Sequence, residues 1–452
     1  MAIPPRAAGP STGRPAIVAG TVTSVAIRAL ASSGAGVGDL PDGRVVFVQR
    51  TAPGDRARVR VTKVRKRWAT ARLEALIEAG PDRVTPPCGL YTRCGGCTLQ
   101  HLGGAAQRAW KARFVADALE RIGGQAVAVP DVTPSPEAFR YRSRVTFTLM
   151  RLKGGRVVAG FHSIDRPGRI VDVHGECLLP ESPITKAWVG LRSAWGPGAV
   201  RLPAGATLRL TLRATAGGVV LVIAGGSGEG GDAEALVRDT PGLSGVWAHA
   251  DRSRPPERLA GCTEIVETWL RRSLRVGADT FLQVNRRAAA ILHEYVLERV
   301  GVGAAPSGGG RAIDAYCGVG AFGDALARAG WTVIGIESNA GAVPAARAAA
   351  PEGFEVRRGR VEEVLPALLG EGAAPDVVIL NPPRTGLHAD VCASLLATRA
   401  GRIVYVSCDP ATLARDTARL SAGYALSSVA SFDLFPQTAH VETVAVLLPL
   451  SA

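Results

Sequence analysis

The chain has 452 residues, 47% of them hydrophobic, which is enough for two or three domains with sizeable cores. Lys and Arg number 53 against 39 Asp and Glu, and the net charge of +14 fits a polyanionic partner such as nucleic acid, or simply a genome that favours arginine. No apolar run reaches the about 18 residues of a membrane span, and no signal-peptide core is present, so a cytoplasmic protein without membrane contact is expected, its eight cysteines serving as ligands, nucleophiles or core residues rather than disulfides.

Residues 1–14, rich in Pro, Gly and Ala, read as a disordered tail. From 15 to 80, TVTSVAIRAL, a Gly-rich bend, GRVVFVQR and RARVRVTKVRKRWATARL read as short strands of a small β-barrel, the type that binds oligonucleotides. Lys63, Arg65, Lys66 and Arg67 sit beside Trp68. Cations that track phosphates next to a stacking ring suit RNA. A charge-protected edge strand gives the same pattern.

Residues 81–275 form a second region. It holds PPCGLYTRCGGCTLQH, then a helix over AAQRAWKARFVADALERIG, then strands at RSRVTFTLMRL, RVVAGFH, TLRLTLRAT and GVVLVIAG, so a β-rich central domain is expected. Cys88, Cys94 and Cys97 have C-x5-C-x2-C spacing and Cys177 follows in DVHGECLLP. Four thiolates suit a 4Fe–4S cluster or a zinc ion. His162 and His174 lack ligand-like spacing and read as structural.

Residues 276–452 alternate strands (AIDAY, WTVIGIE, FEVRRG, DVVIL, RIVYVS) with helical stretches, the pattern of a parallel doubly wound sheet; GVGAAPSGGG at 301–310 reads as a flexible loop leading into it. The first strand runs into Gly318, Gly320 and Gly323, a turn that admits a cofactor to the backbone. The second ends in Glu337, where a carboxylate either takes two ribose hydroxyls or simply faces solvent. The fourth ends in Asn381-Pro382-Pro383-Arg384, a rigid loop. The fifth ends in Ser407-Cys408-Asp409-Pro410, with a thiol where open α/β sheets place ligands.

Glycine turn, acid and NPP loop together resemble class I S-adenosylmethionine methyltransferases. DTFLQVN, NPPRTGL, VSCDPATLARD and FDLFPQTAHVET, in this chain order, resemble the RNA uracil-5-methyltransferase family over about residues 18–449. The resemblance implies an α/β fold: a Rossmann-like methyltransferase domain with an N-terminal β-barrel (TRAM, OB-like) and a β-rich central domain. It implies that Cys408 is the nucleophile, that Glu442 is the base, and that Gln283, Tyr316, Glu337 and Asn381 line the S-adenosylmethionine site. Carbon-5 of uracil is too weak a nucleophile to take a methyl group until a thiolate adds to carbon-6, which is why such chemistry needs a cysteine. A cationic or hydrogen-bonding neighbourhood is expected to lower the Cys408 pKa from about 8.5.

The GGC-x-x-QH form resembles the cluster-bearing branch, which implies that Cys88, Cys94, Cys97 and Cys177 hold a closed, structural 4Fe–4S site and that the substrate is ribosomal RNA, 23S above all, acted on by a monomer. Asn381 stands where many members have Asp, and Arg360 stands where Asn or Asp usually meets the adenine. Cys262, Cys317 and Cys392 read as packing residues, and His440 as a shaper of the uracil pocket. Three rivals remain: a tRNA T-loop uridine as the target, an amino-group methyltransferase, and a non-catalytic RNA-binding protein that keeps the fold. The amino-group enzyme would need no cysteine after the fifth strand, and a methyl-transfer assay separates the RNA-binding protein.

Overall fold

The computed structural model describes residues 17–226, 230–251, 254–301, 309–370 and 374–450. The expected tail at 1–14 and most of the loop at 301–310 lie outside them.

Strands β1 (Val22–Leu30), β2 (Gly36–Asp39), β3 (Val45–Val48), β4 (Arg56–Val64) and β5 (Trp68–Glu78) close into a barrel in the order β1-β2-β3-β5-β4. Strict alternation in β4 turns Ala57, Val59 and Val61 inward and Arg56, Arg58 and Arg60 outward. Strand β2 occupies what reads in sequence as a bend. Its glycines are there for packing: a Cβ on Gly36 would stand 2.0 Å from Thr51 Oγ1, and one on Gly38 2.3 Å from Val25 Cγ1. The basic run also differs from the expected strand. Lys63 lies next to the end of β4, while Arg65–Arg67 form a turn closed by the Arg65 amide on the Trp68 carbonyl at 2.8 Å. A closed barrel has no edge to protect, so the edge-strand account of these charges does not hold.

Helix α1 (Gly104–Arg121) follows the cysteine-rich loop, as the sequence predicts. The central sheet then takes β6 (Arg144–Arg151), β7 (Val157–His162), β8 (Ile170–Asp172), β9 (Thr207–Thr215), β10 (Gly218–Ala224), β11 (Leu243–Ala248) and β12 (Glu257–Gly261) in the order β12-β11-β10-β9-β6-β7-β8. Strand β10 is apolar throughout because both its faces are covered. Val219, Leu221 and Ile223 pack with α2 (Ser182–Ala194) and α3 (Ala233–Asp239). Val220 and Val222 pack toward the hairpin β13 (Ile265–Trp269) and β14 (Arg272–Val276) and helix α4 (Arg286–Val300).

The last region contains β15 (Arg311–Ala315), α5 (Ala321–Arg328), β16 (Thr332–Glu337), α6 (Ala342–Ala349), β17 (Phe354–Arg358), α7 (Val361–Gly370), β18 (Val377–Leu380), α8 (Ala389–Thr398), β19 (Ile403–Ser407), α9 (Pro410–Leu420), β20 (Tyr424–Phe432) and β21 (Glu442–Pro449). The sheet order is β17-β16-β15-β18-β19-β21-β20. Strands β15 to β19 are parallel, and β21 enters antiparallel to both neighbours. Helices α4–α6 cover one face and α7–α9 the other, so the sheet is doubly wound as expected. Gly320 and Gly323 are fixed by packing: a Cβ on either would come within 2.6 Å of the Phe354 ring. Helix α1 is not part of the central sheet's core. Val115 and Leu119 bury against Ala414, Val429 and Val441 of the last region.

Candidate active site and cysteine cavity

Parallel strands deliver their last residues to one edge of the sheet. Tyr316 follows β15, Glu337 ends β16, Asn381 follows β18 and Cys408 follows β19. Because β21 runs the other way, its first residue starts at that same edge. The register pairs Ser407 with Thr443, so the next step sets Cys408 beside Glu442. Cys408 is half-buried, one residue ahead of Asp409, which caps α9 by accepting from the amides of Ala411 (2.9 Å) and Thr412 (3.1 Å).

The electrostatics differ from the expectation for Cys408. Burial raises its thiol pKa, the Glu442 charge raises it further, and Arg384 pulls the other way. A thiol in the free protein is therefore harder to ionise than the sequence suggests. Glu442 is 3% exposed, and burial pushes its carboxyl up to about 8 against the pull of Arg384. Arg384 itself is exposed and makes no ion pair among the described residues. Its guanidinium acts on Cys408 and Glu442 alike, lowering the pKa of both.

Tyr316 holds a left-handed φ of 62° at the turn. Glu337 accepts from the amides of Gly318 (2.8 Å) and Asn339 (2.6 Å), which fixes the carboxylate beside the glycine turn and leaves lone pairs for hydroxyls. The Asn381 amide reaches the Ala315 carbonyl at 3.3 Å. Gln283 makes no hydrogen bond among the described residues, whereas Asn285 of the same motif is buried and structural. It caps α4 and donates to Ser135 Oγ (2.9 Å) and the Leu434 carbonyl (3.0 Å). Arg360 turns to Glu362, with Nε donating to Oε1 at 2.8 Å.

Cys88, Cys94, Cys97 and Cys177 are all free and line one apolar cavity with Tyr91 and Phe161. Burial, then the neighbouring thiols, push Cys97 up to about 12, with Gln100 opposing. Burial lifts Cys177 to about 11 and raises Cys94 as well. The Gly96 amide meets Cys94 Sγ at 3.4 Å. Among the described residues no three His, Cys, Asp or Glu side chains converge to hold a single metal ion.

The family described as tRNA (Uracil-5-)-methyltransferase matches residues 371–449, and the TRAM domain matches residues 19–73. An uncharacterized RNA methyltransferase of Gloeobacter violaceus is 36% identical across 96% of this chain and 99% of its own. One from Halalkalibacterium halodurans is 32% identical across 94% and 96%. The crystal structure of the Pyrococcus abyssi tRNA (uracil-54, C5)-methyltransferase in complex with S-adenosyl-L-homocysteine matches with a TM-score of 0.71 and 28% identity, over 94% of this chain and 100% of that one. The chain belongs to the RNA uracil-5-methyltransferase family. It is an S-adenosylmethionine-dependent RNA (uracil-5-)-methyltransferase carrying a TRAM barrel.

In this methyltransferase, sequence reasoning missed three supports of the site. Arg384 is the first, and its signal is a cation following two prolines after a strand. Asp416 is fully buried in α9 and accepts from Tyr405 Oη (2.9 Å) and the Leu387 amide (2.8 Å), anchoring the NPPRTGL loop. Gly386 fits there because its φ is 73° and a Cβ would stand 2.4 Å from Asp416 Oδ2. Lys111, also fully buried, pairs with Asp433 at 2.5 Å. Cys317 and Cys392 lie in the cores and Cys262 is half-buried against Gly245, as packing residues do. The His162 ring bonds to Pro167 (2.6 Å) and Thr148 (3.3 Å), and the His174 ring to Asp172 (3.1 Å).

Proposed function

We propose that this enzyme methylates carbon-5 of one uridine in 23S ribosomal RNA through a covalent adduct with Cys408. The observation that carries the reading is the β19–β21 register, which brings Cys408 and Glu442 together with Arg384 facing both. The Cys408 thiolate adds to carbon-6, and the carbon-5 to carbon-6 electron pair moves toward the O4 enolate. Carbon-5 then takes the methyl group of S-adenosylmethionine, leaving S-adenosylhomocysteine. Glu442 removes the carbon-5 proton, the sulfur–carbon-6 bond breaks and the thiolate leaves. A carboxyl with pKa about 8 is a stronger base than an ordinary glutamate, which suits this last proton transfer. Arg384 compensates whichever of thiolate or carboxylate is ionised. Gln283, Tyr316, Glu337 and Asn381 would hold the S-adenosylmethionine along the same edge, with the Glu337 carboxylate meeting the ribose.

Residues 15–80, 81–275 and 276–452 are read as TRAM barrel, central RNA-binding domain and catalytic domain. The cations Lys63, Arg65, Lys66 and Arg67 make no ion pair among the described residues, and Lys63 Nζ stands 6.0 Å from the Trp68 ring, which leaves their charge available to RNA phosphates. The cysteine cavity fits a 4Fe–4S cluster held by Cys88, Cys94, Cys97 and Cys177. What supports this reading is that the four thiols line one apolar cavity, and a 4Fe–4S cluster takes four thiolates. Bound there, a cluster would supply the positive charge that ionises the thiols, Cys94, Cys97 and Cys177 among them raised by burial, and a closed structural cross-link. We read the protein as a cytoplasmic monomer; no helix among the described residues is long and apolar enough to cross a membrane.

The cysteine cavity, through the branch it resembles, favours ribosomal RNA. A tRNA uridine is the second reading, favoured by the full-length match to the P. abyssi enzyme, which acts on tRNA uracil-54. Mapping 5-methyluridine in both RNAs of a deletion strain decides between them. The mechanism is tested with that strain's RNA transcribed to contain 5-fluorouridine, which blocks proton removal. Wild type should form an adduct that peptide mapping places on Cys408, and Cys408→Ala should form none while still binding S-adenosylhomocysteine. An adduct on any other cysteine overturns the assignment.

A further inference from the structure

The loop that leads into Glu442 is held from outside its own sheet. Four successive carbonyls between β20 and β21 accept from other parts of the chain. Leu434 takes Asn285 Nδ2 (3.0 Å), Phe435 takes Lys111 Nζ (3.1 Å) and Pro436 takes Tyr141 Oη (2.9 Å). Gln437 takes the amides of both Thr98 (3.0 Å) and Leu99 (2.9 Å), the two residues after Cys97.

Gln437 is where the grip is tightest. It is 7% exposed and sits at φ 70°, a left-handed conformation that a non-glycine residue keeps only where its surroundings over-determine it. Its amide donates to Gln107 Oε1 (2.9 Å), and its own Oε1 accepts from Gln107 Nε2 (3.0 Å). Two residues on, the Ala439 amide donates to Thr98 Oγ1 (3.1 Å). The same kind of grip recurs around the cysteines. Arg50, at φ 64°, donates to the carbonyls of Tyr91 and Cys94, both at 2.9 Å, and Arg140, at φ 58°, donates to that of Cys177 at 3.3 Å.

We propose that Gln437 is a positioning residue for proton abstraction. Locked by Gln107 and by the backbone that follows Cys97, it sets where His440 and Glu442 stand over Cys408. The cysteine-bearing loop thus fixes the base, not the nucleophile, which hangs on β19 and α9. The proposal rests on the assignment of Glu442 as the base and adds what holds that base in place.

The test follows single turnovers of unmodified total RNA from the deletion strain with radiolabelled S-adenosylmethionine, separating methylated adduct from released methylated RNA. Gln107→Met keeps the side-chain volume and removes both bonds to Gln437. Gln437→Gly accepts the left-handed φ and keeps the carbonyl bonds, but loses the amide side chain. Both variants should release product about tenfold to a hundredfold more slowly, because the base is misplaced. Methylated adduct should accumulate, as with Glu442→Gln, while S-adenosylhomocysteine affinity and 5-fluorouridine adduct formation stay within about twofold of wild type. A purely structural role would instead depress addition, transfer and release together, and that result in Gln437→Gly overturns the proposal. So does unchanged release. If Glu442→Gln accumulates adduct and neither glutamine variant does, the positioning role alone falls. If Glu442→Gln accumulates none, the base assignment falls and takes the positioning role with it.

Discussion

Burial raises thiol pKa values at Cys408 and in the cysteine cavity alike, yet the groups facing the sulfurs differ. Cys408 stands at a strand end, half-exposed, with Arg384 and the N-terminus of α9 in front of it and a carboxyl beside it. In the cavity, Cys94, Cys97 and Cys177 each count another thiol among the groups that raise their pKa, and the lining is apolar. The first arrangement suits the proposed role of a single sulfur that ionises, reacts and is released. The second suits the proposed cluster site, where sulfurs stay protonated until a metal centre takes the protons' place. Environment, more than residue type, separates a nucleophile from a ligand.

The largest effect should come from breaking the partnership at Cys408. Glu442→Gln removes the proposed base but keeps its size, so addition and methylation should proceed and a methylated RNA–protein adduct should survive a denaturing gel. Normal turnover by this variant would move the base elsewhere. In wild type, release should speed up as pH rises through about 8, because only the ionised carboxylate accepts the proton. The stability trend has the opposite sign. A carboxyl at about 8 when folded and 4.5 when unfolded stabilises the fold below pH 4.5, and that contribution is lost as pH rises toward 8. The melting temperature of Glu442→Gln relative to wild type should therefore climb across that window, and a flat difference would mean the carboxyl is not held protonated.

An intermediate effect should come from the cavity. Protein purified anaerobically should be brown and hold about four irons per chain, and Cys177→Ser should lose iron and soluble yield together. Zinc in that preparation, or full iron in the variant, would erase the contrast with Cys408. The smallest effect belongs to thiols with neither kind of neighbour. Cys392→Ala should cost about 1 kcal/mol in chemical denaturation, with iron content and adduct formation unchanged. A loss of activity there would show that burial alone does not mark a packing cysteine.

Much of this was legible in the sequence, and the rest was hidden for physical reasons. The parallel strands before Tyr316, Glu337, Asn381 and Cys408 read directly, because buried strands are short apolar runs closed by turn residues. Strand β2 did not, since Gly36 and Gly38 look like a bend until Thr51 and Val25 are seen to occupy their Cβ space. The short β8 and the helices α2 and α3 were also missed inside a stretch dominated by strands. Cys408 and Glu442 could be named from motifs, but their electrostatics could not: Arg384 opposes burial at both, and burial wins. Nothing in the sequence local to Lys111 or Asp433 announces a fully buried lysine paired 322 residues away.

The bonds that lock Gln437 have a further consequence for how the protein is made. Gln107 and Gln437 are 330 residues apart, and Thr98 and Ala439 are 341 apart. A ribosome working from the N-terminus delivers the barrel and the cysteine loop first, and these can begin to fold as units. The loop's outward-facing amides must then wait for almost the whole remaining chain, with the loop-closure cost such distant contacts carry. A nascent chain halted before residue 437 therefore holds the barrel and Cys88, Cys94, Cys97 and Cys177 but not the contacts that fix Gln437, so the residues proposed as nucleophile and base meet only after the last region is made.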